Sequence, residues 1–201
     1  MESDTLRLAD AACVVGSRFH LGPVDLALEP GSLTVVRGAN GSGKTTLLRV
    51  ATGLLPLSAG RRECGGTALY LRAGDGGRDG QRVATAVETA AALAGRAAAD
   101  ARGALLETGL AALAGRRVGT LSAGERTRLT AAVAVAVAPA LLCLDEPFGP
   151  LDAAGASTVA TAVSRLIDGG SAVVVASPQR QPLDDRADAC LVVDDGMVSA
   201  A

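Results

Sequence analysis

Gly38-Ala39-Asn40-Gly41-Ser42-Gly43-Lys44-Thr45-Thr46 sets glycines, a lysine and a hydroxyl at the spacing G-x-x-x-x-G-K-[ST], the pattern of a loop that cradles phosphates. Glycines let the backbone curl until successive N–H groups point inward at phosphate oxygens, and a helix starting there adds its partial positive charge. In such a loop Lys44 reaches the β- and γ-phosphates as a point charge, and the Thr45 hydroxyl ligates Mg²⁺. Gly38, Asn40, Gly41, Ser42, Gly43 and Thr46 complete the expected nucleotide-binding set. A second stretch, Leu141-Leu142-Cys143-Leu144-Asp145-Glu146, ends an apolar run in two carboxylates. Asp145 can hold the Mg²⁺ shell and Glu146 can orient a water. In a third, Leu121-Ser122-Ala123-Gly124-Glu125, Ser122 and Glu125 stand three apart ahead of an apolar run, which is a capping box. A capped helix start beside a glycine is also an anion site, so one chain carries two half-sites for one triphosphate.

These residues need elements to hold them. Leu33-Thr34-Val35-Val36 reads as a short strand feeding the loop, and Thr45 to Ala51 as the helix that leaves it. Ahead of them, Leu6 to Val15 and Val24 to Leu28 read as two strands of an antiparallel flap, the second closed by a Glu29-Pro30-Gly31 turn. After the loop helix, Leu55 to Gly60 breaks the pattern and Thr67 to Leu71 offers another strand. Arg72 to Gly80 is rich in Gly and Asp and is expected to be mobile; Ala-rich helical stretches follow from Val83 to Ala114. Leu141 to Leu144 and Ala172 to Ala176 are continuous apolar strands of the kind buried in a parallel sheet, linked by a helix from Ala153 to Ile167. Cys190 to Val198 reads as a hairpin turning on Asp195-Gly196. The composition shift divides the chain into a core, 1–72 and 139–201, and an inserted α-helical lobe, about 73–138.

The 201 residues suffice for one α/β domain, and with 49% hydrophobic residues but only 1% aromatic the core must be built of Ala, Val and Leu. A net charge of -2 gives no basic footprint, which argues against a nucleic-acid partner. Cys13, Cys64, Cys143 and Cys190 form no C-x-x-C pair and read as free thiols in a reducing cytosol. No secretory start opens the chain. The longest apolar run, Ala131 to Leu144, falls short of the ~20 residues that span a bilayer and is split by Pro139.

The phosphate loop, Leu121-Ser122-Ala123-Gly124-Glu125, and Asp145-Glu146-Pro147 with Leu151-Asp152 together resemble the ATP-binding subunit of an ABC transporter, over nearly the whole chain. Small stand-alone subunits of bacterial export systems are similar in length and in Arg116-Arg117-Val118-Gly119-Thr120 before the signature. The resemblance implies a P-loop NTPase core with a mostly parallel sheet, an N-terminal antiparallel β flap and an inserted helical lobe. It also implies ATP and Mg²⁺ as ligands, a separate transmembrane subunit, and a location on the cytoplasmic face of the membrane through that partner. A second ATP-binding subunit is implied as well, in a head-to-tail dimer. Ser122 and Gly124 of one copy would close over ATP held by Lys44 of the other, with Asp152 in the loop that crosses between them. Three positions depart from the family pattern. Arg72-Ala73-Gly74 stands where a glutamine is usual, with Gln81 the nearest one. Ser177-Pro178 stands where a histidine is usual. The aromatic that stacks on adenine aligns nearer Val15, with Phe19 and His20 the nearest rings. The departures admit an alternative, a hydrolysis-impaired regulatory or scaffold subunit that uses ATP as a dimer clamp.

Overall fold

The computed structural model describes residues 4–16 and 19–201 and divides them into two compact units. The first holds the described residues up to Tyr70, Pro139–Glu146 and Ile167–Ala201; the second holds Leu71–Ala138 and Pro147–Leu166.

In the first unit, β1 (Leu6–Val15), β2 (Phe19–Leu28) and β4 (Ala59–Cys64) form an antiparallel sheet in the order β2-β1-β4. Along β1 the buried positions are Leu6 and Leu8, then Ala11 and Cys13, so the alternation changes phase midway. The pairing register shifts between Leu8 and Ala11, and Asp10, with φ 49°, gives its N–H to the Asp25 carboxylate at 3.0 Å. A bulge of this kind admits one extra residue and lets both halves of the strand keep an apolar face inward. Two expectations are corrected here. The second strand begins at Phe19 rather than Val24, and β4 starts at Ala59, inside the stretch Leu55 to Gly60 that breaks the pattern, and runs on to Cys64. Its residues Ala-Gly-Arg-Arg-Glu-Cys lie at the edge of the sheet, largely exposed, so no apolar alternation marks them.

The larger sheet runs β5 (Ala68–Arg72), β6 (Leu141–Asp145), β7 (Ala172–Ala176), β3 (Leu33–Arg37), β8 (Ala189–Asp194), β9 (Met197–Ala200). β6, β7, β3 and β8 pair in parallel and β9 turns back on β8. β6 and β7 are buried at every residue, as strands covered on both faces must be. Leu47, Leu48, Val50 and Ala51 of α1 (Lys44–Ala51) pack into one core with Leu6, Leu8, Val36, Leu141, Cys143 and Val174. At the far end of α1, Arg62 Nε donates to the Ala51 carbonyl at 2.7 Å, placing a cation on the negative end of the helix.

In the second unit α2 (Val83–Leu93), α3 (Ala98–Glu107) and α4 (Ala123–Val137) pack pairwise, and α5 (Ala153–Asp168) leads the chain from β6 towards β7. Ala86, Ala91, Ala101, Ala104, Ala132 and Ala136 are buried among them, so the backbones approach closely without rings. The Gly/Asp-rich stretch expected to be mobile is tied down: Gly74 N–H donates to Thr130 Oγ1 at 3.1 Å, Gly119 N–H to the Asp79 carbonyl at 2.9 Å, and Arg126 pairs with Asp79 at 2.5 Å. Sequence composition could not show this, because the partners come from α4 and the turn before it.

Candidate nucleotide-binding site

Parallel register sets Val36, Asp145 and Ala176 side by side at one edge of the sheet, since Asp145 pairs with Ala176 and Ala176 with Val36. The phosphate loop, Glu146 and Ser177 all leave from that edge, the usual ligand position in a parallel α/β sheet. Gly38 must be glycine, with φ 144° and no room for a Cβ beside the Val193 carbonyl and Ser42 Oγ. At the other end of the loop, the β8–β9 turn reaches in: Gly196 N–H donates to the Ser42 carbonyl at 2.8 Å, and Gly22 N–H to the Gly196 carbonyl at 2.9 Å. Gly196 in turn leaves no space for a Cβ against the His20 carbonyl.

Lys44, the chain's only lysine, is buried at 6% exposure, and its Nζ donates to the Gly38 and Ala39 carbonyls, both at 2.8 Å. Ser42 is equally buried, and among the described residues its Oγ meets no hydrogen-bond partner. An unmet hydroxyl inside a curl of backbone is a place prepared for an anionic oxygen, because leaving it unpaired costs about 1–3 kcal/mol. Thr45 Oγ1 donates to Asp145 Oδ2 at 2.7 Å. A hydroxyl and a buried carboxylate in contact are hard oxygen donors, and they suit Mg²⁺. The residues present therefore fit both a polyphosphate and its metal. Asn40 and Gly41 lie exposed on the loop, and Thr46 is half-buried in the first turn of α1.

Glu146 is half-buried and adopts φ 53°, with its N–H held by the Ala176 carbonyl at 2.9 Å. A non-glycine residue in the left-handed region costs of order 1–3 kcal/mol, and such strain gathers where a side chain has to be aimed. Ser177 is buried; its carbonyl accepts from Arg37 Nη1 at 3.1 Å and its Oγ from Gln181 Nε2 at 2.5 Å. Arg37 also binds the Gln179 carbonyl and pairs with Asp184, so the exposed Pro178 sits on a loop pinned from both sides. The Phe19 ring packs against Gly43 and Gly196, while His20 is exposed.

Ser122, Gly124 and Asp152 come together in the second unit, where they line a cavity of about 550 Å³ with Glu125, Arg128 and Thr158. The capping box is closed: Ser122 N–H donates to Glu125 Oε2 at 2.7 Å, and Glu125 N–H to Ser122 Oγ at 3.2 Å. The Ser122 N–H on the Glu125 carboxylate holds that carboxyl below the usual range. Asp152 Oδ1 accepts from Gly155 N–H at 2.8 Å, inside the first turn of α5. Gln81 lies in the turn before α2. Its side-chain oxygen accepts from Arg78 N–H at 3.4 Å.

One residue escaped the sequence. Tyr70, on β5, donates its hydroxyl to Asp145 Oδ2 at 2.9 Å, and burial together with that carboxylate pushes the hydroxyl up to about 12. The available signal was a lone tyrosine near the end of a strand, but nothing in sequence told that β5 would neighbour β6.

A parallel sheet with a glycine-rich strand-to-helix loop, a buried lysine and a threonine–aspartate pair at its edge defines a P-loop nucleotide-binding protein. Residues 21–149 match the family model described as ABC transporter. The chain belongs to that family, as one of its ATP-binding members. It is 35% identical to a daunorubicin resistance ATP-binding protein of Streptomyces coeruleorubidus, over 96% of this chain and 68% of that one. It is 36% identical to a cytochrome c biogenesis ATP-binding export protein of Bordetella bronchiseptica, over 82% of this chain and 80% of the relative. In fold it is similar to a solved ATP-binding subunit of an ABC transporter, with TM-score 0.86 and 18% identity over 98% of this chain and 89% of the other. An ABC transporter cassette in its ADP conformation gives TM-score 0.79 at 20% identity, over 98% and 89%.

Proposed function

We propose that this chain is the ATP-binding subunit of an export-type ABC transporter. In this reading it binds Mg²⁺ and ATP, pairs on the nucleotide with a second ATP-binding subunit, hydrolyses ATP and drives a separate transmembrane subunit from the cytoplasmic face. The observation that carries the reading is the loop in which Lys44 is buried and Ser42 Oγ is unmet beside the Thr45–Asp145 pair. Export is supported by the relatives, one named for drug resistance and others as export proteins. No helix among the described residues is long and apolar enough to cross a membrane.

Lys44 exchanges two carbonyl contacts for phosphate oxygens, a stronger charge-assisted pairing. Gly38, Asn40, Gly41, Ser42, Gly43 and Thr46 surround the phosphates with backbone N–H groups and hydroxyls, and Thr45 and Asp145 hold Mg²⁺. Bound there, Mg²⁺ supplies neutralisation of the charge that develops on the transferred phosphoryl group. Glu146 orients the attacking water. Ser122 and Gly124 of the second subunit offer a helix start to the same triphosphate, and Asp152 stands in the segment between subunits. Hydrolysis is slow, because Pro178 offers neither a side-chain donor nor a backbone N–H where an imidazole would steady the water.

Titration calorimetry with Mg²⁺ and ATP tests the binding step, with Lys44→Ala expected to lose most of the affinity; equal affinity in that variant would refute the assignment. Sedimentation of Glu146→Gln with ATP is expected to show a dimer. Phosphate release that is absent in the unmodified chain, with ATP still bound, would point instead to a clamp that does not turn over.

A further inference from the structure

Asp145 is the one acid on which the expected Mg²⁺ site depends, and Thr45 and Tyr70 both donate to the same oxygen, Oδ2. Among the described residues no donor reaches Oδ1. A carboxylate turns readily about its last torsion, and in a site of hard oxygen ligands that freedom has to be removed before a metal with near-ideal octahedral demands can be held. One hydroxyl cannot do this alone, because Thr45 is itself an expected ligand. Tyr70 is well placed to do it. It is half-buried against the apolar core of the first unit, and Arg49 of α1 lies over its ring, 5.4 Å from the centroid. Its hydroxyl is thereby carried on a rigid body anchored in β5.

We propose that Tyr70 is a positioning residue for the metal-holding carboxylate: its hydroxyl fixes the rotation of Asp145 so that Thr45 and Asp145 present a prepared pair of oxygens to Mg²⁺. This rests on the nucleotide reading above. A structural role alone, a buried hydroxyl finding an acceptor, predicts a different outcome when the hydroxyl is removed. Stability would change and metal dependence would not.

Tyr70→Phe keeps the ring, its packing and the Arg49 contact. Groups that orient metal ligands typically cost 10- to 100-fold in metal affinity when lost. The ATP affinity of Tyr70→Phe without Mg²⁺, in EDTA, should equal that of the parent, while the Mg²⁺ concentration for half-maximal nucleotide binding rises about 10-fold or more. A spectroscopic readout comes with the chain itself, which has one tyrosine and no tryptophan, so its emission near 300 nm reports on this hydroxyl. A charged carboxylate acceptor quenches tyrosine emission, and a metal that neutralises that carboxylate while the hydrogen bond holds relieves the quenching. Emission of the unmodified protein should therefore rise with ATP and Mg²⁺ together and stay level with ATP in EDTA. ATP binding by Tyr70→Phe with the parent's Mg²⁺ dependence, or parent emission indifferent to Mg²⁺ at saturating ATP, overturns the positioning role alone. Failure of the unmodified chain to bind ATP at all overturns the nucleotide reading and this inference with it.

Discussion

Ser42 carries a cost in the free protein that a phosphate oxygen bound beside it would remove. Among the described residues its hydroxyl is buried without a partner, so Ser42→Ala should raise the melting temperature of the nucleotide-free chain by roughly 2–4 °C, the shift that about 1 kcal/mol produces at this size. The same substitution should weaken ATP binding about 10-fold or more, since a hydrogen bond to a charged oxygen is lost. Calorimetry of both kinds checks the opposite signs; a variant that binds ATP as well as the parent would remove Ser42 from the site. Pro178 makes a converse case. An imidazole placed there adds a positioned acid–base group of the sort that contributes about 10²- to 10⁴-fold, so Pro178→His should raise kcat while leaving ATP affinity near that of the parent. The loop is held by Arg37 and by Gln181 through Ser177, not by Pro178, so it should accept the change. Steady-state phosphate release on both proteins decides, and brisk turnover by the parent would show that the missing imidazole does not limit it.

The helix start at Ser122 ties an element to a titration. Glu125 ionises below its ordinary range because the Ser122 N–H binds its charged form. A carboxyl whose folded value is depressed contributes stability above its unfolded value of about 4.3, and that contribution fades as pH falls through the lower folded one. Glu125→Gln should therefore lower stability at neutral pH by that contribution and flatten the acid limb of the unfolding curve below about pH 4.5, the two proteins converging in acid; an unchanged acid limb would mean that the capping box is not closed in solution. At this scale the sequence was legible where an element is defined by its own residues. β1, β6, β7, the β8–β9 turn and the capping box follow from alternation, apolar runs, an Asp-Gly pair and a four-residue spacing. It was not legible where a partner defines the element. β4 is an edge strand held by pairing with β1, and the extension of β2 to Phe19 depends on the same neighbour. The site divides in the same way: Lys44, Thr45 and Asp145 announce themselves by motif, while Tyr70 depends on β5 lying next to β6.

For the molecule as a whole, Cys143 offers a measure of opening. It lies two residues before Asp145 in β6 with no solvent exposure, and burial pushes its thiol well above the ordinary value. Cys64 and Cys190, which are only partly buried, should react with a thiol reagent quickly, and Cys143 only when the sheet opens. A ligand that binds the folded form alone stabilises it by about 2.7 kcal/mol at a hundredfold excess over Kd, so ATP should slow Cys143 labelling about 100-fold; labelling unaffected by saturating ATP would place the nucleotide away from this sheet edge. The β8–β9 turn carries a different consequence, for the order in which the protein is made. Residues 38–46 are synthesised well before Val193 and Gly196, yet the loop they form is closed by Gly196 and crowded into shape by Val193. Until the β8–β9 hairpin is in place, the chain has the motif without the cradle. The loop's closed form therefore follows the pairing of that hairpin with β3, not the mere presence of its own motif.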